Sequence, residues 1–374
     1  MKVLHLIDSG GLYGAEKMLL ALARQQQRQG LSPTILSAGE PGMGDKPLEA
    51  EALRMGVSVK PWRMRPGFNL KGAREVLQWA QDNQFDLLHS HGYKFNVLMG
   101  LWPRALRRLP LITTLHGYVK APRYTKSWLY ELLDRRILPR MQQVVVVSDT
   151  MKGLIPQSLV ASNSVSVIAN GLATEVVLEN SHAPVDQALN AFFSRHQKVV
   201  LGVGRLSREK GFDRLIHGFA RIAQTDPSTG LLIVGEGAHR TVLEQLVSEL
   251  NLEDKVFLPG YVANVSAVMA KASVLCLASH TEGLPITLLE GMNLGVPVVV
   301  SAVGDMPAVL GEGCGGTVLE DLSAKPLSEA LSEAMAQGRK VKESTSWARE
   351  RVQNSYSDTA MAENYLRVYR KVLS

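Results

Sequence analysis

The chain has little cysteine, two residues in 374, and that scarcity excludes two ways of holding a fold together. Cys276 and Cys314 are too few, and too far from any histidine cluster, for a disulfide framework or a zinc site. Cys276 lies in the apolar run Ser273-Val274-Leu275-Cys276-Leu277-Ala278 and reads as a buried strand residue. Long hydrophobic runs are missing as well: no stretch approaches ~18 apolar residues, so no membrane-spanning helix is expected. The start, Met1 to Asp8, meets an acid too soon for a secretory signal. These absences lead us to expect a soluble, cytoplasmic protein, with any membrane contact peripheral on the inner face.

Several nucleotide and metal signatures are also missing. The turn after the first strand, Asp8-Ser9-Gly10-Gly11-Leu12-Tyr13-Gly14-Ala15-Glu16, is glycine-rich and precedes a helix, but it does not spell the G-x-G-x-x-G of a dinucleotide fold. That disfavours a dehydrogenase. The lysine-bearing triphosphate loop is absent, and no two aspartates are separated by one residue, so a metal-dependent transferase would lack its ligands.

What is present begins with 374 residues that are 45% hydrophobic, enough for two cores. Short strand-like runs recur at Val3–Ile7, Thr34–Ser37, Val57–Pro61, Leu87–Ser90, Leu111–Leu115, Gln143–Ser148 and Val165–Ala169, alternating with amphipathic segments such as Ala15–Gly30 and Leu70–Asn83. After a polar stretch from Ala173 to His196, which reads as a linker, the rhythm restarts at Val199–Gly204, Leu231–Gly235, Val256–Pro259, Val274–Ala278 and Pro297–Ala302. Alternation of strand and helix implies parallel strands with right-handed crossovers. The expected fold class is therefore α/β, with two Rossmann-like doubly wound parallel sheets facing across a cleft. We expect one domain over 1–175, a second over 176–355, and an amphipathic tail helix over 356–374 that packs back near the first.

Charge divides unevenly between the halves. Residues 1–180 hold 22 Lys and Arg against 14 Asp and Glu, and the remainder 19 against 21. A basic first half points to a polyanionic partner such as a lipid surface, a phosphorylated acceptor or nucleic acid.

The strongest chemical motif follows Val274–Ala278 and runs from Ser279 through His280, Thr281, Glu282, Gly283, Leu284 and Pro285 to Glu290 and Gly291. A loop opening a helix offers backbone N–H groups and positive dipole to an anion, while Glu282 and Glu290 are acceptors for sugar hydroxyls. A second motif, Gly202-Val203-Gly204-Arg205-Leu206-Ser207-Arg208-Glu209-Lys210-Gly211, brings Arg205 and Lys210 toward one helix start, as a diphosphate clamp requires. A third, Gly235-Glu236-Gly237, would let a base or ribose approach the backbone. Among the strand-end histidines, His89 reads as structural, whereas His91 and His116 point toward the cleft by position, with His116 the better ligand contact.

With these residues in place the chain resembles glycosyltransferase family 4, on the Gly10-Gly11 loop, His116-Gly117, Asn170-Gly171, Gly204-Arg205 through Lys210-Gly211, Gly235-Glu236-Gly237 and the Glu282/Glu290 pair. The resemblance implies that Arg205 and Lys210 contact a donor diphosphate and that Glu290 binds ribose. It also implies that Glu282, with the amides of Gly283 and Leu284, holds the transferred sugar, that His116 touches that sugar, and that Gly11 lies against the phosphates. It further implies a nucleotide-diphosphate-sugar donor, retained anomeric configuration, no cofactor or bound metal, and a front-face reaction in which the leaving phosphate takes the acceptor's proton. Two departures bear on donor choice: Asn170-Gly171 continues as Leu172-Ala173 where the family usually has an apolar residue and an Asp, and the later loop reads Gly304-Asp305-Met306-Pro307-Ala308.

Arg104, Arg107, Arg108, Arg123, Tyr124, Lys126, Trp128, Arg135 and Arg136 mix cations with aromatics as interfacial segments do, which points to a lipid-linked or surface-glycan acceptor and an anionic membrane. Two alternatives stand beside this reading. One is a nucleotide-sugar epimerase of the same fold, which needs no acceptor. The other is a nucleic-acid binder, which would leave Glu282 and Glu290 without a role.

Overall fold

Seven strands of the first half form one parallel sheet, in the order β3-β2-β1-β4-β5-β6-β7. They are β1 (Lys2–Ile7), β2 (Ser32–Gly39), β3 (Val59–Arg63), β4 (Leu87–Ser90), β5 (Leu111–Leu115), β6 (Gln143–Val146) and β7 (Val165–Val167). A second parallel sheet has the order β10-β9-β8-β11-β12-β13. Its strands are β8 (Lys198–Val203), β9 (Thr229–Val234), β10 (Val256–Gly260), β11 (Val274–Leu277), β12 (Val298–Ser301) and β13 (Thr317–Leu319). The structure is a computed structural model; it describes every residue except Ser9, Gly10, Tyr13, residues 117–125 and Gln337, and the backbone alone for residues 126–130.

Two compact units result. One comprises Met1–Gly171 with Tyr356–Ser374, the other Leu172–Ser355. In both sheets the chain starts in the middle, winds outward to one edge, then returns to the other side of its first strand. The reversal lies between β1 and β4 in one sheet and between β8 and β11 in the other. Ligands of such sheets bind beyond the carboxyl ends of the strands at that reversal.

Strands β4, β5, β11 and β12 are buried from end to end, and β1 from Val3 onward, because helices cover both faces. Each core then forms where helix stripes meet the sheet. In the second unit Phe212, Leu215, Ile216, Phe219 and Ile222, all on helix Phe212–Thr225, recur at helical spacing and pack with Ile233, Val274 and Cys276. Cys276 is a buried strand residue, and burial pushes its thiol up to about 12. In the first unit helix Asp358–Leu373 lays Met361, Tyr365, Val368 and Tyr369 against Met18, Leu22, Leu87 and Val145. Gly171 permits this contact: a Cβ there would stand 2.6 Å from Asp358 Cα and 2.7 Å from the Ser357 carbonyl oxygen.

Three features differ from the reading of the sequence. The polar stretch taken as a linker holds two helices, Thr174–Ser181 and Gln187–Arg195, which belong to the second unit. Strand β13 went unnoticed. The G-x-G-x-x-G pattern, read as absent from the whole chain, does occur at Gly311–Gly316, where Gly311 and Gly315 press on the Trp347 ring, away from any strand-to-helix turn.

Candidate active site

In the second unit three of the sequence motifs lie at the carboxyl ends of β8, β9 and β11. The turns after β8 and β9 are bonded together: Gly204 N–H donates to the Val234 carbonyl at 3.0 Å and Leu206 N–H to the Glu236 carbonyl at 2.9 Å. Gly235 has φ 144°, and a Cβ there would collide with the Gly204 carbonyl, so only glycine allows the two turns to meet. Gly211, at φ 62°, starts the helix Phe212–Thr225 directly against the Ala278 carbonyl. His280 N–H donates to the Glu209 carbonyl at 2.8 Å. The arginine-lysine turn is thereby fixed to the loop after β11.

These backbone contacts bring Lys210 and Glu282 together as an ion pair, across 72 residues of sequence. The Lys210 side chain is 25% exposed and that of Glu282 11%. Ser279 Oγ donates to Glu282 Oε1 at 2.9 Å, and Ser301 Oγ donates to the Ser279 carbonyl at 2.7 Å, so the carboxylate is held from behind by a second layer. The backbone of Glu282 and Gly283 rests on Gly304, and Asp305 N–H donates to the Gly283 carbonyl at 3.2 Å. Gly283 itself is exposed, with open space where a Cβ would be, and Leu284 is half-buried.

Helix Ile286–Leu294 follows, with Pro285 at its N-cap and no side chain capping it. Its first turn therefore presents backbone donors and positive dipole beside the Glu282 loop. Glu290 lies on the fifth residue of that helix and is half-buried. Arg205 is exposed. The carboxylate of Glu236 turns instead to Arg240, 2.9 Å away, and is 54% exposed. Its backbone, not its side chain, belongs to the joined turns.

In the first unit the corresponding strand ends carry other chemistry. Asp8, just after β1, pairs with Lys94 at 2.8 Å and lies 4.0 Å from Lys46 Nζ. Lys46 is buried and also donates to the Ala38 carbonyl. Burial lowers its pKa, with Asp8 and Glu49 acting against that shift. Beside it Arg63 grips Glu49 through two 2.8 Å bonds, which, against the cost of burial, hold the Glu49 carboxyl at about 2. This cluster was not legible in the sequence, since its members come from four separate segments. Gly11 is half-buried, and Gly10 lies outside the described residues.

The histidines form a second buried group. Register pairs His5 with His89 across β1 and β4, and alternation along β4 places His91 on the same face as His89. His91 does not point outward as its position suggested. It is 6% exposed, with His5 Nδ1 2.9 Å from its Nε2 and His116 Nε2 3.0 Å from its Nδ1. His5 Nε2 in turn meets Gln26 Oε1 at 2.8 Å. His89 is structural, held by the Tyr369 hydroxyl at 2.7 Å and Thr114 Oγ1 at 2.8 Å. Desolvation lowers all four: His5 and His116 to about 4, His89 and His91 well below their usual value. They are neutral near pH 7. His5, His89 and His91 cluster closely enough to be considered as metal ligands, yet both nitrogens of each ring already have hydrogen-bond partners. A cation would have to break several of these bonds, so we read the cluster as a polar network.

The basic segment also needs correction. Arg107 is buried and bonds the carbonyls of Leu109 at 2.8 Å and Met99 at 3.2 Å and the Gln142 side chain at 2.9 Å, so it ties down a turn rather than facing a membrane. Arg135 pairs with Glu131. Arg104, Arg108 and Arg136 are exposed, while Arg123, Tyr124 and the side chains of Lys126 and Trp128 lie outside the described residues. Among the described residues no helix is long and apolar enough to cross a membrane.

Comparison with known proteins is consistent across the chain. The family model described as Glycosyltransferase Family 4 matches residues 13–176, and that described as Glycosyl transferases group 1 matches residues 190–351. An uncharacterized glycosyltransferase of Haemophilus influenzae is 36% identical over 300 residues, 79% of this chain and 78% of that protein. N-acetyl-alpha-D-glucosaminyl L-malate synthase of Bacillus anthracis is 23% identical over 82% of this chain and 80% of its own length. In structure, Anabaena HepE, solved in complex with UDP, superposes with a TM-score of 0.79 at 19% identity, covering 99% of this chain and 100% of that one.

Proposed function

The chain belongs to glycosyltransferase family 4 and is an enzyme that transfers sugars; from that premise we propose that its second unit binds a nucleotide-diphosphate sugar. The observation that carries this reading is the Lys210–Glu282 pair beside the uncapped start of helix Ile286–Leu294. A diphosphate needs cations and N–H donors, a sugar needs acceptors, and here both kinds stand at the reversal point of one sheet. In this reading Arg205 and Lys210 take the diphosphate and stabilise it as leaving group. Glu282 and the amides of Gly283 and Leu284 take the sugar, Glu290 the ribose hydroxyls, and Gly235 with the backbone of Glu236 the space beside the base. The family resemblance assigns His116 a contact to the sugar and Gly11 a contact to the phosphates. The transfer retains configuration and uses no metal. Among relatives of like structure, HepE was solved with UDP, which supports a nucleoside diphosphate as the first ligand to try.

For the acceptor we propose a lipid-linked or cell-surface glycan that carries negative charge. The support is the excess of cations in residues 1–180. Thermal-shift measurements against a panel of nucleoside diphosphates and their sugars test the donor half, since a ligand at 100 times its Kd adds about 2.7 kcal/mol. Lys210→Ala and Glu290→Ala should each lose roughly a hundredfold or more of kcat/KM with the fold intact. Near-normal turnover in both would overturn the assignment of the site. Retention by vesicles rich in anionic lipid at low salt tests the membrane part, and no retention removes it.

A further inference from the structure

The polar network under His116 has a direction, and that direction determines what His116 presents at its free end. A neutral imidazole carries one N–H and one lone pair, so each link dictates the next. Gln26 Nε2 donates to the Tyr369 hydroxyl at 3.0 Å, which leaves Gln26 Oε1 as acceptor for His5 Nε2. His5 thus carries its proton on Nε2 and offers Nδ1 to His91. His91 Nε2 must donate across that 2.9 Å contact, so its Nδ1 is bare, and His116 Nε2 must donate to it at 3.0 Å. The chain ends at His116 Nδ1. This atom is shielded from solvent, has no hydrogen-bond partner among the described residues, and by this accounting holds a lone pair.

The side branch agrees. Having accepted from Gln26, the Tyr369 hydroxyl donates to His89 Nδ1, and His89 Nε2 donates to Thr114 Oγ1. Turning the Gln26 amide over would reverse every donor along the chain and place a proton on His116 Nδ1. The network therefore has two arrangements that differ as wholes.

We propose that the chain Gln26–His5–His91 holds His116 in its Nε2–H tautomer, so that the Nδ1 lone pair accepts a hydrogen bond from a hydroxyl of the bound sugar. This rests on the reading above that His116 meets the sugar. Gln26, His5 and His91 are then positioning residues: they touch no substrate and act through the tautomer of His116. An orphaned buried acceptor is unfavourable until a donor reaches it, so the site favours an O–H over an ether or carboxylate oxygen at that point.

Two-bond nitrogen–proton correlation spectra of histidine-labelled protein read each ring's tautomer directly, without ligand. The expected result is Nε2–H for His5, His91 and His116. A proton on His116 Nδ1 would overturn the proposal and show that the field of the nearby Glu16 carboxylate, which favours protonation, outweighs the chain. Gln26→Leu removes the anchoring acceptor and should scramble the His116 tautomer, lowering kcat/KM about tenfold for whichever nucleotide sugar gives the largest thermal shift. Gln26→Glu keeps an acceptor toward His5 and should restore the tautomer. An unchanged tautomer in Gln26→Leu sinks the relay even if the wild-type spectrum agrees, and the wild-type spectrum decides alone if Gln26→Leu does not fold. Should His116→Phe leave turnover unaffected while the tautomers are as assigned, the sugar-contact reading fails and takes the hydroxyl with it. Loss of turnover in His116→Phe with the opposite tautomer leaves that reading standing and ends the relay.

Discussion

Acidification from pH 7 to pH 5 should destabilise the first unit, because its buried histidines fold only as neutral rings. His5 makes the calculation explicit. Its pKa falls from 6.5 in the unfolded chain to about 4 in the fold, through desolvation that its bond to Gln26 only partly offsets. Between those values the unfolded chain binds more protons, so stability falls as pH falls. The contribution is small at pH 7 and grows to about 2 kcal/mol at pH 5 for this one ring. His89, His91 and His116 shift in the same direction. They share one network, so their effects are not additive.

The window isolates these rings from the carboxylates. Glu49, held at about 2 by Arg63, contributes stability that is lost only as pH falls through its unfolded value toward 2, and that change lies almost wholly below pH 5. Urea unfolding at pH 7 and pH 5, followed by near-ultraviolet circular dichroism, measures the difference. His5→Gln, which removes one titrating ring while keeping polar atoms in place, should flatten the pH dependence by about 2 kcal/mol. Equal stability of the wild-type protein at the two pH values would refute the claim that the rings are buried and neutral.

Further outcomes follow from single contacts. Gly171→Ala drives a Cβ into the backbone of Ser357 and Asp358; it should cost about 2 kcal/mol and free the terminal helix for proteolysis, where an unaffected digestion pattern counts against that docking. Arg107→Met removes a buried donor from the carbonyls of Leu109 and Met99 and from the Gln142 side chain, the last two of which keep a backbone donor each, and should cost about 2 kcal/mol in thermal unfolding while leaving any vesicle binding unchanged. Glu282→Gln removes the partner of Lys210 and should tighten binding of a free nucleoside diphosphate several-fold, read by calorimetry, while transfer falls; weaker binding would contradict the division of labour between the two residues.

The alternation of strands was legible because a doubly covered parallel strand is apolar on both faces, and Leu87–Ser90, Leu111–Leu115 and Val274–Leu277 are buried throughout. Strand β13 was not, since three half-buried residues at a sheet edge carry no periodicity. The polar stretch after Ala173 misled for a related reason: its two helices bury only Val177, Leu189 and Phe192, too few for an apolar stripe to show. Glycine positions were readable as motifs, but the reason for them was not. That Gly211 and Gly235 admit a neighbouring carbonyl depends on β11 and β8 lying beside their turns. His5 is the single polar residue in the apolar run Val3–Ile7. The signal that could have found its network is distributed: a glutamine, Gln26, inside the first helix and two tyrosines four apart in the last, each with a polar tip that must find a partner when buried.

The Lys210–Glu282 pair shows most directly how stability and function diverge in this fold. Desolvating two charges costs about as much as their attraction returns, and an apolar pair of equal volume would serve the fold as well or better. The surroundings nevertheless strengthen the pair, since Ser279 bonds the carboxylate, Ser301 bonds Ser279, and Gly304 admits the loop backbone. Such support orients a side chain more than it stabilises a core. On the proposed reading, each partner then holds the other where a ligand will need it, with little reorganisation left for the moment of binding. A nucleotide sugar supplies a negative diphosphate for Lys210 and hydroxyl donors for Glu282, replacing one internal contact with two external ones. A nucleoside diphosphate alone satisfies only the lysine and leaves the partly buried carboxylate with Ser279 as its remaining partner. The pair should therefore favour the whole donor over its leaving group, which is the preference an enzyme needs if it is to release product and start again.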